Sequence, residues 1–305
     1  EAISTTESGD STLSQFQGRG GTYRILWGNT ARYKGLSVGL NLGYLFGKTT
    51  NDRIVALVDG EGRDLIDSYR SQLIDEISIG GLIVNAGLMY RYQFKKMEEG
   101  VLKPTGKNII IGAYGNTSND INSNTSQEFF RYRNGAGFGA IPTDTIRNLS
   151  GIEGKVTLPA EFGIGVMIEQ EFKYRLGLDF QAAKWSQYKN DAKPETLVDT
   201  WRLAFGGEYT PDYSSYNKAW KRVRYRAGFF YQQDPRVVNE QLSSIGVTLG
   251  VGVPVVLERG QVSFIDLSLE LGRFGSDSSI KETYARLTAG FSLNDNTWFY
   301  KRKFD

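Results

Sequence analysis

The chain of 305 residues has no cysteine, no histidine, 3 methionines and only 7 prolines. Without cysteine there is neither a disulfide framework nor a thiolate metal site. Without histidine the Ser-His-Asp triad, the Cys-His pair and imidazole metal ligation all drop out. A non-enzyme with no catalytic residue, no metal and no cofactor is therefore expected. Also missing is any run of about 18 consecutive apolar residues, so no membrane-spanning helix is expected. The formal charge of +2 gives no field directed at nucleic acid, and none is expected as a partner. The stretch after Glu1 carries no charged and apolar export signal, so any such signal would lie outside this numbering.

What the chain does have is 36 glycines, 17 tyrosines and 17 phenylalanines, a balance that favours pleated, closely approaching strands. Mean hydropathy of −0.37 does not argue against a membrane, because barrel strands hide their apolarity by alternation. The period is legible between Gly35 and Gly47, where Leu36, Val38, Leu40, Leu42, Tyr44 and Phe46 alternate with small or polar residues. It recurs in Phe162, Ile164, Val166 and Ile168, in Tyr174, Leu176, Leu178 and Phe180, and in Trp201, Leu203 and Phe205. It continues in Tyr225, Ala227 and Phe229, in Ile245, Val247 and Leu249, in Ile265, Leu267 and Leu269, and in Leu287, Ala289 and Phe291. With strands near 21–31, 77–94 and 107–117, the total is about eleven. The fold class is all-β: a transmembrane antiparallel β-barrel in the outer membrane of a Gram-negative bacterium.

Such barrels almost always have an even strand number in bacteria, so eleven points either to a miscounted strand or to strands ahead of Glu1, and the second is expected. The expected organisation is one barrel domain over 1–305: a loop entering the barrel at 1–19, strands over 20–293, long extracellular loops near 48–73 and 118–158, and a periplasmic tail at 294–305. A periplasmic C-terminus makes the connections near 32–35, 95–106, 170–173, 210–219 and 252–260 periplasmic, and these are mostly the short ones.

The hairpin Leu158-Pro159-Ala160-Glu161-Phe162-Gly163-Ile164-Gly165, turning at Gln170-Glu171-Phe172-Lys173 and returning through Gly177-Leu178-Asp179-Phe180 to Lys184-Trp185-Ser186-Gln187-Tyr188, resembles the FadL/TodX outer-membrane transporters. The stretches Arg224-Tyr225-Arg226-Ala227-Gly228-Phe229-Phe230-Tyr231 and Tyr284 to Leu293 agree with it. The resemblance implies a fourteen-stranded barrel, of which these strands would be the fourth to the last, with a hatch and lateral wall opening upstream of Glu1. It also implies passive transport of hydrophobic compounds such as long-chain fatty acids. The family's greasy helical third loop is replaced here by Ile54-Val55-Ala56-Leu57-Val58-Asp59-Gly60-Glu61, which reads as a hairpin extended above the membrane. That departure keeps a second class of function open: a non-transporting accessory barrel in a secretion or barrel-assembly complex. The expected partners are outer-membrane lipid and, according to the reading, a hydrophobic small molecule or other envelope proteins.

Two groups of residues are candidates for a site. Phe129, Phe130, Tyr132, Phe138 and Ile141 form an apolar cluster in an outer loop and could capture a ligand, or could simply pack the loop on itself. Arg91, Arg175, Asp179, Arg202, Glu208, Arg224, Arg226, Asp266, Glu270 and Arg286, with Glu169, fall on the inner face. They could line a polar conduit, although mixed charges on facing strands more commonly pair and fill a lumen. Trp185, Tyr188, Trp201, Tyr209, Tyr225, Tyr231, Trp298 and Tyr300 read as interfacial belt aromatics.

Overall fold

The computed structural model describes residues 2–5, 11–59, 65, 68–135, 139–256, 262–278 and 281–294. The strands are β1 (Ala2–Thr5), β2 (Ser11–Tyr33), β3 (Leu36–Val58), β4 (Tyr69–Glu98), β5 (Val101–Asn116), β6 (Asn119–Gly135), β7 (Gly139–Leu158) and β8 (Glu161–Gln170). They continue with β9 (Tyr174–Ala183), β10 (Lys189–Asn190), β11 (Thr200–Tyr209), β12 (Arg224–Val238), β13 (Glu240–Val256), β14 (Val262–Gly275) and β15 (Lys281–Ser292). Among the described residues, helix is confined to a 3-10 turn at Trp185–Gln187 and one turn, α1, at Ala219–Arg222. No helix among the described residues is long and apolar enough to cross a membrane.

Eleven of the strands form one antiparallel path, β2-β3-β4-β5-β8-β9-β11-β12-β13-β14-β15, the barrel wall, and they coincide with the eleven segments expected from the alternation. Register explains why the wall is amphipathic. Leu42 pairs with Val84, Leu249 with Leu269 and Leu267 with Ala289, so every apolar set falls on the same side. A slip of one residue would move an entire set to the other face. The outer set is exposed along the whole path: Leu82 is 72% accessible, Phe205 53% and Leu287 77%. An apolar band of that extent belongs against lipid rather than water.

Above this band the sheet does not stop. Strands β2 and β3 are 23 residues each and stay in unbroken register from Tyr33↔Leu36 to Ser11↔Val58, about twice the 9 to 11 residues needed to cross a bilayer. Residues 11–19, expected as an entering loop, are therefore strand, and residues 2–5 add a short edge strand to them. Of the loop expected at 48–73, residues 48–58 and 69–73 are strand as well. The loop expected at 118–158 is the hairpin β6–β7. Alternation in these segments is masked by polar residues on both faces, which a sheet outside the bilayer tolerates. Gly20, at φ +101°, sits where β2 passes from wall to extension, and a Cβ there would come within 2.1 Å of the Lys48 carbonyl.

The 30-residue β4 makes the branch that joins wall and extension. Its second half, Ala86 to Glu98, pairs with β5, while its first half, Tyr69 to Gly80, pairs with β6. The result is an upper sheet, β1-β2-β3-β4-β6-β7-β10, standing on the wall like a tower. At the fork the Asn119 side-chain amide donates to the Leu82 carbonyl, and Ile121, 1% exposed, packs onto Gly81. A Cβ on Gly81 would lie 2.4 Å from Ile121 Cγ2 and 3.0 Å from its Cα. Replacing Gly81 by Ala should therefore push β6 away, destabilise the protein by about 1–3 kcal/mol and speed proteolysis within 119–158. Gly112→Ala, where a Cβ meets nothing closer than 3.7 Å, should change the unfolding midpoint by less than about 0.5 kcal/mol. Denaturant unfolding and limited proteolysis of both variants check this.

Candidate functional site

Strand parity aims the charged residues of the wall inward, and near the short-turn end they meet as a chain. Arg91 of β4 lies 3.8 Å from Glu169 of β8, which is 3.3 Å from Arg175 of β9. Arg175 reaches Glu208 of β11 at 3.8 Å, and Glu208 accepts a 2.8 Å bond from Arg226 Nε on β12. Arg226 Nη1 then donates to Asp266 of β14 at 2.6 Å. Beyond it, Arg286 of β15 is 3.6 Å from Glu270, whose Oε1 also accepts from Tyr284 at 2.9 Å. Arg224 stacks its guanidinium 3.5 Å from the Phe264 ring centroid, and Arg202 lies 5.6 Å from that of Phe230. Asp179 lies opposite Gly165 and Ala204, along the wall from this chain.

Glu169 is the buried member, and its charge is tolerable because Asn108 donates to it at 3.1 Å while two guanidiniums flank it. Asn108, fully buried, was not singled out from sequence. Its signal is a lone amide ahead of Ile109, Ile110 and Ile111, directly opposite Glu169 in the register. Between this chain and the tower, strands β3, β4, β5, β8 and β9 leave an inner concavity of about 540 Å3. Gly39, Gly112 and Gly165 open it, Met89, Ile110 and Tyr114 give it apolar surface, and Asp179 adds a carboxylate to its lining.

The aromatic cluster of the outer connection is divided by the structure. Phe129 and Phe130 are neighbours on β6 and so point to opposite faces of the tower, opposite Leu73 and Gln72 respectively. Phe130 and buried Tyr132 share a face, with ring centroids 6.1 Å apart. Phe138 lies outside the described residues, and Ile141 is described only in its backbone, which pairs with Arg133. On the Phe130 side, Gln72 binds both oxygens of Asp52 at 2.9 and 2.8 Å, a polar clasp between β3 and β4. The belt aromatics do meet: Trp201 and Tyr231 are 4.9 Å apart and Trp185 and Tyr188 5.9 Å, whereas Trp298 and Tyr300 lie outside the described residues. Above the belt, Asp234 takes both Nε and Nη2 of Arg236 at 2.8 Å, and that bidentate bond holds its carboxyl below the usual carboxylate range.

Among the described residues no group of three or more acidic side chains could hold a metal. The inward charges differ in worth. A double-mutant cycle on Glu208→Gln and Arg226→Gln should give a coupling of about 1 kcal/mol, because the pair is close and half-buried. The same cycle on Glu270 and Arg286, at 3.6 Å with Arg286 mostly exposed, should give less than about 0.5 kcal/mol. Equal couplings would mean that all these ions are screened alike.

Among solved structures the chain is similar to the CymD monoaromatic hydrocarbon channel, with 12% identity and a TM-score of 0.40 over 92% of this chain and 86% of that one. No curated protein matches. The BamG family model matches residues 1–305, and with the full length covered the chain belongs to the BamG family.

Proposed function

We propose that this BamG-family protein is a non-catalytic accessory barrel of a larger outer-membrane complex in a Gram-negative envelope, concerned with barrel assembly. The observation that carries the reading is the tower. A barrel that only seals a pore has no need for β2, β3 and β4 to run on in register well past the lipid, nor for a dedicated fork at Asn119 and Gly81. Long connections lie on the outside in such barrels, so the tower faces the extracellular side and the short turns face the periplasm. A sheet in continuous register with the wall holds a bound envelope protein at a fixed position relative to the membrane, without any chemistry by the barrel.

Passive transport of a hydrophobic small molecule, such as a long-chain fatty acid, is the second reading. The inner concavity with Met89, Ile110 and Tyr114 favours it. Gentle detergent purification separates the two. Under the first reading, envelope proteins copurify in stoichiometric amount and are lost when residues 119–158 are replaced by a short linker, while the wall still folds. Retention of those proteins without the hairpin overturns tower docking. Gly112→Trp, which fills the concavity, should leave the copurifying proteins in place; under the transport reading it should cut uptake and strip bound apolar ligand detected by mass spectrometry.

A further inference from the structure

The lipid-facing surface of the wall is not uniformly studded. On β11 the outward position between Phe205 and Tyr209 is Gly207, opposite Leu176 on one side and Ala227 on the other. Two small residues side by side leave a groove of about 840 Å3, walled by Phe205, Leu249 and Leu267. At the end nearer the short turns its lining is Tyr174, Tyr209 and Tyr225, three phenols at the depth where hydrocarbon gives way to headgroups.

That end carries positive charge. The Tyr225 hydroxyl donates to the Trp220 carbonyl at 3.0 Å, which fixes α1 at the mouth of the groove, and Asp212 N donates to the Lys221 carbonyl at 2.8 Å and ties the turn back to β11. Lys218, Lys221 and Arg222 are thereby gathered within one helical turn. The acidic residue of this connection, Asp212, is engaged by Ser214 through its own Oδ1. The Arg222 Nε is buried and has no hydrogen-bond partner, an unspent donor in a half-buried guanidinium. Exposed Phe172, at φ +61°, packs tilted against Tyr213 with ring centroids 5.0 Å apart and extends the aromatic rim alongside.

We infer that this groove and basic turn form a site for one anionic glycerophospholipid of the periplasmic leaflet, its acyl chain over Gly207 and Ala227 and its phosphate at Lys218, Lys221 and Arg222. The apolar half faces lipid already, so acyl chains are the solvent there, and the basic half selects the headgroup charge. The inference goes beyond the docking role and shares only its orientation, so loss of tower partners would not touch it.

Native mass spectrometry of the full chain in neutral detergent tests it. Dioleoyl phosphatidylglycerol should be retained, one per protein, at about tenfold lower concentration than dioleoyl phosphatidylcholine. The variant Lys218→Gln/Lys221→Gln/Arg222→Gln should lose that preference with its unfolding midpoint unchanged. Gly207→Leu, whose Cβ meets the flexible end of Leu176 at 2.8 Å and the Arg175 carbonyl oxygen at an ordinary 3.5 Å, should weaken retention of both lipids, and Ala227→Leu provides the same test should Gly207→Leu fold poorly. Equal retention of the two lipids by the unaltered protein, or an undiminished preference in the triple variant, overturns the site. Competition by glycerol 1-phosphate as effective as by the whole lipid also overturns it, in favour of a phosphate site that needs no membrane.

Discussion

Hydrocarbon offers a peptide group no hydrogen-bond partner, so a chain that crosses a bilayer in strands must pair every backbone donor and acceptor with a neighbouring strand. The wall follows from that constraint. Its eleven strands are joined by antiparallel ladders, and the β8–β9 and β9–β11 registers run without a shift through the apolar band. Once the ladders are fixed, side chains have two directions only, and the sequence divides itself between lipid and lumen. The greasy set faces outward because it has nowhere better to be; the arginines and carboxylates face inward because they meet one another there.

This is why the wall was legible and the tower was not. In β3 the alternation from Leu36 to Phe46 is forced by lipid on one side, and the strand could be read directly. From Lys48 to Asp52 the same strand reads Lys-Thr-Thr-Asn-Asp, polar on both faces, because water on either side imposes no period. The ladder nevertheless continues across those residues without a break, held by backbone pairing that composition does not advertise. The hairpin β6–β7 was harder still. Its ladder has three register shifts between Thr125 and Tyr132, which blur any period in β7, while on β6 simple alternation sends Phe129 to one face and leaves Phe130 with Tyr132 on the other.

The inner charges show the same division between pattern and partnership. Parity alone places Arg175, Glu208 and Arg226 on one face, but it does not say which carboxylate each guanidinium will choose. That is decided by the register, which sets Glu208 directly opposite both Arg175 and Arg226. Asn108 entered through register too, as the residue opposite Glu169. Partly exposed ions on the inner face contribute little individually, yet linked across β4, β8, β9, β11, β12 and β14 they oppose any slip between strands, since a shift of two residues would break pairs on both sides at once.

Rigidity is unevenly distributed, and the distribution bears on what the tower can do. The β2–β3–β4 edge passes from wall to tower in unbroken register, and at its base Gly20 and Gly47 admit no side chain between the strands, with a Cβ on Gly47 falling 2.3 Å from the Gly21 carbonyl. Close backbone approach at that level leaves the two strands little freedom to splay. On the opposite side β6 pairs with β4 without a shift, but the β6–β7 ladder beyond it carries three register shifts between Thr125 and Tyr132. A protein bound to the β2–β3 side would thus be held in register with the membrane, whereas one bound to β6–β7 would ride on the more compliant edge. A sheet that is stiff on one side and yielding on the other suits a scaffold that fixes one partner and accommodates another.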